Sequence, residues 1–229
     1  MKKYKPQTKD ELKELVKDEN IYLGDIDTSL ITDMSNIFHE SLRKDFEGIE
    51  KWDTSNVKDM HNMFSDAVYF NHNIEKWNVS KVENMGAMFL RCLDFNQPLN
   101  DWNVSNVKYM GAMFAGAESF NMPLNKWNTC NVIDMRAMFN MALNFNQDLN
   151  SWNTSNVENM HGMFSQARNF NQPLDKWNTS NVKTMQLMFN GCINFNQDLE
   201  SWKLGENVNM KYAFSNSPIE SNPPSWYKS

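Results

Sequence analysis

Residues 102–121 read WNVSNVKYMGAMFAGAESFN, and the same frame returns every 25 residues. Tryptophan stands at 52, 77, 102, 127, 152, 177 and 202. Eight residues after each comes a methionine: Met60, Met85, Met110, Met135, Met160, Met185 and Met210. Twelve after each comes a phenylalanine: Phe64, Phe89, Phe114, Phe139, Phe164, Phe189 and Phe214. A Phe-Asn pair closes six of the units, from Phe70-Asn71 to Phe195-Asn196, and Ile74 or a leucine (Leu99, Leu124, Leu149, Leu174, Leu199) follows it. One unit of this length cannot bury its own apolar face. Stacked copies can, so the period predicts a tandem array with a shared interior.

Within a unit the apolar spacing changes. From Val107 through Met110, Met113, Phe114 and Ala117 the steps are three and four, which predicts one face of a short helix capped by Ser105 or Asn106. From Leu124 through Trp127 to Thr129 the pattern tightens toward alternation and predicts a short strand. The expected fold is an α/β repeat solenoid, with short parallel strands on one face and short helices on the other. Its expected parts are an N-terminal helical cap over 1–25, about eight coils over 26–215 with 26–51 and 202–215 degenerate, and a Pro-containing cap or tail over 216–229. The cap rests on an amphipathic pattern over 8–19, where Thr8 and Glu11 make a capping box and Leu12, Leu15 and Val16 share a face. In the tail, Trp226 is placed to fold back as a lid.

Composition agrees with a packed protein. The chain has 229 residues, 41% of them hydrophobic and 13% aromatic. Its net charge of −6 disfavours nucleic acid as a partner. No apolar run is long enough to insert in a membrane. Lys2 and Lys3 are followed by Pro6, Lys9 and Asp10 rather than an apolar stretch, so no secretory signal is read and a cytoplasmic location is one expectation. Cys92, Cys130 and Cys192 occupy slots that are Ala or Ser in sister units and read as small residues rather than a disulfide framework.

Two polar ladders are expected along the array. Asn71 and its equivalents to Asn196 bond the loop of the next coil. Lys58, Glu83, Lys108, Ile133, Glu158 and Lys183 alternate in sign apart from Ile133. No catalytic constellation stands out. His39, His61, His72 and His161 are scattered, and no HExxH, CxxC, GxGxxG or P-loop occurs. The expectation is a non-enzyme without cofactor or metal. The candidate binding face is the set of positions flanking each Trp. It comprises Glu75, Lys76 and Asn78; Asn100, Asp101 and Asn103; Asn125, Lys126 and Asn128; Asn150, Ser151 and Asn153; and Asp175, Lys176 and Asn178. On an exposed sheet face this strip would meet a protein, or a glycan through amide hydrogen bonds. A second set consists of large side chains that break the repeat: Tyr69, Tyr109, Met122, Arg136, Met141 and Arg168, which are residue types found at binding hot spots.

The frame W…S.V..M..MF..A..FN…L resembles the BspA-like leucine-rich repeat family in its Mycoplasma-type 25-residue form, over roughly residues 21–215. The opening DTSLITDMSNIF at 27–38 is similar to that family's first repeat. The resemblance implies leucine-rich-repeat-like architecture. It also implies a bacterial surface or adhesin-like protein that is secreted or displayed and binds a host protein. An intracellular scaffold binding a bacterial partner is the alternative, and a glycan-binding or hydrolytic protein is a third.

Overall fold

The computed structural model describes residues 2–228, so the outermost residue of each expected cap lies outside the described part. The 25-residue frame winds into coils that lie one over the next, but the elements inside each coil differ from expectation. Most of the chain is turn and irregular structure. The single α-helix among the described residues is α1 (Lys9–Lys17), with short 3₁₀ segments at Leu23–Asp25, Ile49–Lys51 and Pro218–Ser221. No sheet forms. Parallel pairing is reduced to isolated bridges, one per neighbouring pair of coils: Asp33 with Asp59, then Asn84, Tyr109, Asp134, Asn159, Thr184 and Asn209 in succession, with one more joining Tyr4 to Ile26. The expected α/β solenoid with parallel strands and helices is therefore overturned. The pairing also falls seven residues after each Trp, not beside it.

The hydrogen bonds explain why no helix forms from Val107 to Ala117. Alternate amides leave the coil: those of Met110, Ala112, Phe114 and Gly116 donate to the carbonyls of Asp134, Arg136, Met138 and Asn140, at 2.7–3.0 Å. The amides between them close tight turns within the coil, Met113 to Met110, Ala115 to Ala112 and Ala117 to Phe114, at 3.1–3.2 Å. A helix would need all of them for bonds four residues back. Consecutive turns place apolar side chains three and four apart just as a helix does, so the spacing is satisfied without one. The backbone also reverses handedness inside this run. Ala112 and Gly116 have φ of 55° and 67°, and each coil repeats the pair, as at Ala137 and Met141 or Ala87 and Arg91. These left-handed residues end the extended stretch after a single bridge, which is why strands do not develop.

Side chains stack as the period predicts. The phenylalanines twelve after each Trp form an unbroken column from Phe38 to Phe214, with ring centroids 5.5–5.9 Å apart and planes within 11°. A second column runs through Phe70, Phe95, Phe120, Phe145, Phe170 and Phe195 at 5.6–6.1 Å. Each indole Nε1–H from Trp52 to Trp202 donates to a carbonyl of the coil before it, at 2.8–3.2 Å, so a large apolar ring is buried without orphaning its one donor. Trp226 does the same to Leu199 and stacks on Trp202 at 6.0 Å.

At the other end α1 lies on the first coil through the buried Leu12 and Val16. The Thr8 hydroxyl accepts from the Glu11 amide, and the Glu11 carboxylate accepts from the Gln7 amide. The buried Arg43 donates to the carbonyls of Val16, Asp18 and Ile21, which satisfies the C-terminal end of the helix from the coil side.

Candidate functional site

The two positions before each Trp form a tight turn instead of flanking a strand, and this turn carries the candidate strip. Successive turns are tied together. Asn100 accepts from the Lys126 amide at 3.0 Å and donates to Asn125 at 2.9 Å. Asn150 accepts from the Lys176 amide at 3.0 Å and donates to Asp175 at 2.8 Å. Ser151 donates to the Asn125 carbonyl. Lys126 pairs with Asp101 at 2.8 Å, and this hydrogen bond holds the carboxyl below its ordinary range and the ammonium above its own. Lys76 is exposed and only loosely paired with Glu75, at 3.9 Å.

The asparagines after each Trp have a local role. The side-chain carbonyls of Asn78, Asn103, Asn128, Asn153 and Asn178 accept from the amide two residues on, at 3.1–3.3 Å. Such Asx turns start the chain's descent into the coil, and they commit the carbonyl while the residue stays exposed. The structure therefore brings the strip together as one line of turns, with part of its hydrogen-bonding capacity spent on the fold.

The second candidate set does not converge. Tyr69 is exposed with the Lys44 ammonium 5.0 Å from its ring centre. Tyr109 carries a bridge, Met122 packs partly buried against the core, and Arg136 lies 3.4 Å from Asp134. Met141 and Arg168 are exposed near the turn that precedes the second phenylalanine of their coils.

Other ladders are structural. The Asn71, Asn96, Asn121, Asn146 and Asn171 side-chain carbonyls each accept the backbone amide of the equivalent asparagine in the next coil, at 2.9–3.0 Å. Gln97, Gln147, Gln172 and Gln197 add a second bond to the same oxygen in four of them. A buried threonine column, unanticipated from the sequence, bonds the next coil through Thr28, Thr54, Thr129, Thr154 and Thr179. Its signal was present as a β-branched Thr or Val two residues after each Trp from 52 to 177. In the charge ladder Lys108 meets Glu83 at 2.8 Å and Lys183 meets Glu158 at 2.6 Å.

Cys92 and Cys192 are buried and donate through Sγ to the Phe64 and Phe164 carbonyls. Burial pushes both thiols up, Cys192 to about 12, which suits packing rather than nucleophilic attack. Among the described residues no group of three or more His, Cys, Asp or Glu is placed to hold a metal ion, and no helix is long and apolar enough to cross a membrane.

The family model described as "Mycoplasma protein of unknown function, DUF285" matches residues 10–127 and again 117–226. The chain belongs to this family. Two tandem matches within one DUF285 chain agree with the internal repetition, and they carry the Mycoplasma-type repeat rather than the leucine-rich label. No curated protein and no solved structure matches this DUF285 chain.

Proposed function

We propose that this chain is a non-catalytic protein-interaction module that presents the line of turns before each Trp to a partner protein. The observation that carries the reading is the strip itself. The same exposed slots recur in successive coils, and inter-coil bonds through Asn100 and Asn150 hold them in register. A preordered surface loses little entropy on binding. The interior supports the same reading, because the thiols and most ladder amides are engaged within the fold. The similarity of the frame to BspA-like surface repeats favours a partner outside the cell, such as a host protein.

The test is photocrosslinking from the strip. A photoreactive residue at Lys126 or Lys176 is expected to trap the same partner from host or matrix protein mixtures. The same group at Lys183, on the charge ladder, should not. Equal capture from both places, or none from either, overturns the reading. Fractionation of native cells separates a displayed protein from an intracellular scaffold.

A further inference from the structure

We infer that a second face, the corner formed by the turn before each closing phenylalanine, is a docking line for an amphipathic α-helix of a partner protein. The inference rests on the reading of this chain as a binding module and moves the contact to a different surface. The corner is built from a repeated tight turn. The amide of Phe120 bonds the Ala117 carbonyl at 3.1 Å, and Phe95, Phe145, Phe170 and Phe195 close the same turn in their coils. Both ends of the turn are buried, so its two central residues are forced outward.

Polar residues are normal at such tips. The second central position conforms in five coils, with Asp94, Ser119, Asn144, Asn169 and Asn194, and departs from this only at Tyr69. The first does not: in order it carries Val68, Leu93, Glu118, Leu143, Arg168 and Ile193. Leu93 is 40% exposed and Ile193 56%, while Val68 and Leu143 are half-buried. Aliphatic side chains in a row at turn tips are a cost to solubility that the fold itself does not require. The row is continuous in space, because the Ser119, Asn144 and Asn169 amides donate to the Leu93, Glu118 and Leu143 carbonyls at 3.2–3.3 Å and hold neighbouring tips together.

The order of side chains selects the occupant. From Leu93 to Ile193 an aliphatic tip appears at every second coil. The phenylalanine column two residues after the tips repeats at 5.8–6.1 Å per coil, so tips two coils apart lie about 11–12 Å apart. An α-helix lying along the row returns a side chain to one face every seven or eight residues, at about 10.5–12 Å. An extended peptide covers about 10 Å in three residues and about 13 Å in four, and neither step matches. Charge completes the match: exposed Glu118 lies between the first two aliphatic tips and exposed Arg168 between the last two. The partner helix thus carries aliphatics seven or eight residues apart, a basic residue facing Glu118 and an acidic one facing Arg168. The chain's own α1 is not the occupant, since Leu12 and Val16 are already buried on the first coil.

The probe is a synthetic helical peptide of about 20 residues with three leucines spaced seven and then eight residues apart, lysine midway between the first two leucines and glutamate midway between the last two. Its affinity for the full chain is measured by fluorescence anisotropy. A control of identical composition and helicity carries the leucines five apart. The matched peptide should bind at least about tenfold more tightly than the control. Leu143→Glu copies a side chain that a sister coil already bears, so it should keep the melting temperature while weakening the matched peptide about tenfold. Glu118→Lys should weaken it too, and a peptide with glutamate at both charged positions should recover the loss. Equal binding of matched and control peptides, or no binding of either, overturns the inference. If that happens while strip crosslinking persists, only the helix site fails. If crosslinking fails while the matched peptide binds, the strip is rejected and the corner stands.

Discussion

Replacing Ala112 and Ala137 by glycine tests the backbone description most directly, because the two possible structures give opposite signs. Both residues sit at positive φ, 55° and 51°, and both keep their amides bonded to the next coil at 2.7 Å. Each is only partly buried, so loss of the methyl group removes little packing. A non-glycine residue in the left-handed region carries about 1–2 kcal/mol of steric cost. Glycine adds back about 0.5–1 kcal/mol through the greater freedom of the unfolded chain. Ala112→Gly and Ala137→Gly should therefore each stabilise by about 0.5–1 kcal/mol. At this chain length, about 1 kcal/mol raises the melting temperature by about 2–4 °C. Gly116→Ala should do the reverse: its φ is 67°, and an added Cβ would approach Arg91 Cγ to 3.1 Å. Urea denaturation followed by tryptophan fluorescence reads all three. If Ala112 lay inside a helix, glycine would instead destabilise by about 1 kcal/mol. A loss of that size at both alanines refutes the alternating-turn backbone.

Three further outcomes are expected. Asn146→Ala strands the Asn171 amide and the Gln172 side chain, so it should cost about 1–3 kcal/mol in denaturant unfolding, while Asn146→Asp keeps the acceptor and should cost less. Asp27 and Asp53 are held below the usual carboxylate range by the hydroxyls and amides of Ser29 and Ser55. Their contribution is complete above the unfolded value of about 3.9 and is lost as pH falls through the lower folded value. Melting temperature should thus fall on acidification below about pH 5. The Asp27→Asn/Asp53→Asn double variant should flatten that fall with little change at neutral pH, since asparagine serves the same turn at Asn78. Finally, iodoacetamide should label Cys130 in the native protein and reach Cys92 and Cys192 only after unfolding, a difference that mass spectrometry resolves. Rapid native labelling of Cys92 would contradict its burial.

The sequence disclosed periodicity and interior far better than local conformation. Trp102, Met110 and Phe114 announce themselves because a shared interior demands the same bulk at the same place in every copy, and all three are buried. The helix expected over Val107–Ala117 rested on a spacing that successive turns produce equally well. A clue against it was visible: the slots ten and fourteen after Trp collect Asn62, Asp66, Gly116, Gly162 and Gly191, residues that tolerate left-handed backbone. Alanine at 87, 112 and 137 in the same slot masked it, since alanine is the strongest helix former. The slots of the strip are readable from the repeat, yet the Asx role of Asn103 and its sisters was not legible, because the spacing suggested a strand where a turn stands. The aliphatic tips Leu93, Leu143 and Ile193 were not legible either, because they fall just past the slot of Ala117, where the expected helix ends, and only the structure shows the turn that exposes them.

Because alternate amides of each turn run point outward to the neighbouring coil, no unit completes its own bonding, and every unit offers its neighbours the same set of groups. Recombination between any two copies of the unit in the gene would yield a shorter or longer protein whose junction is already correct. The length of the array can therefore be edited in whole steps while the packing within is inherited unchanged.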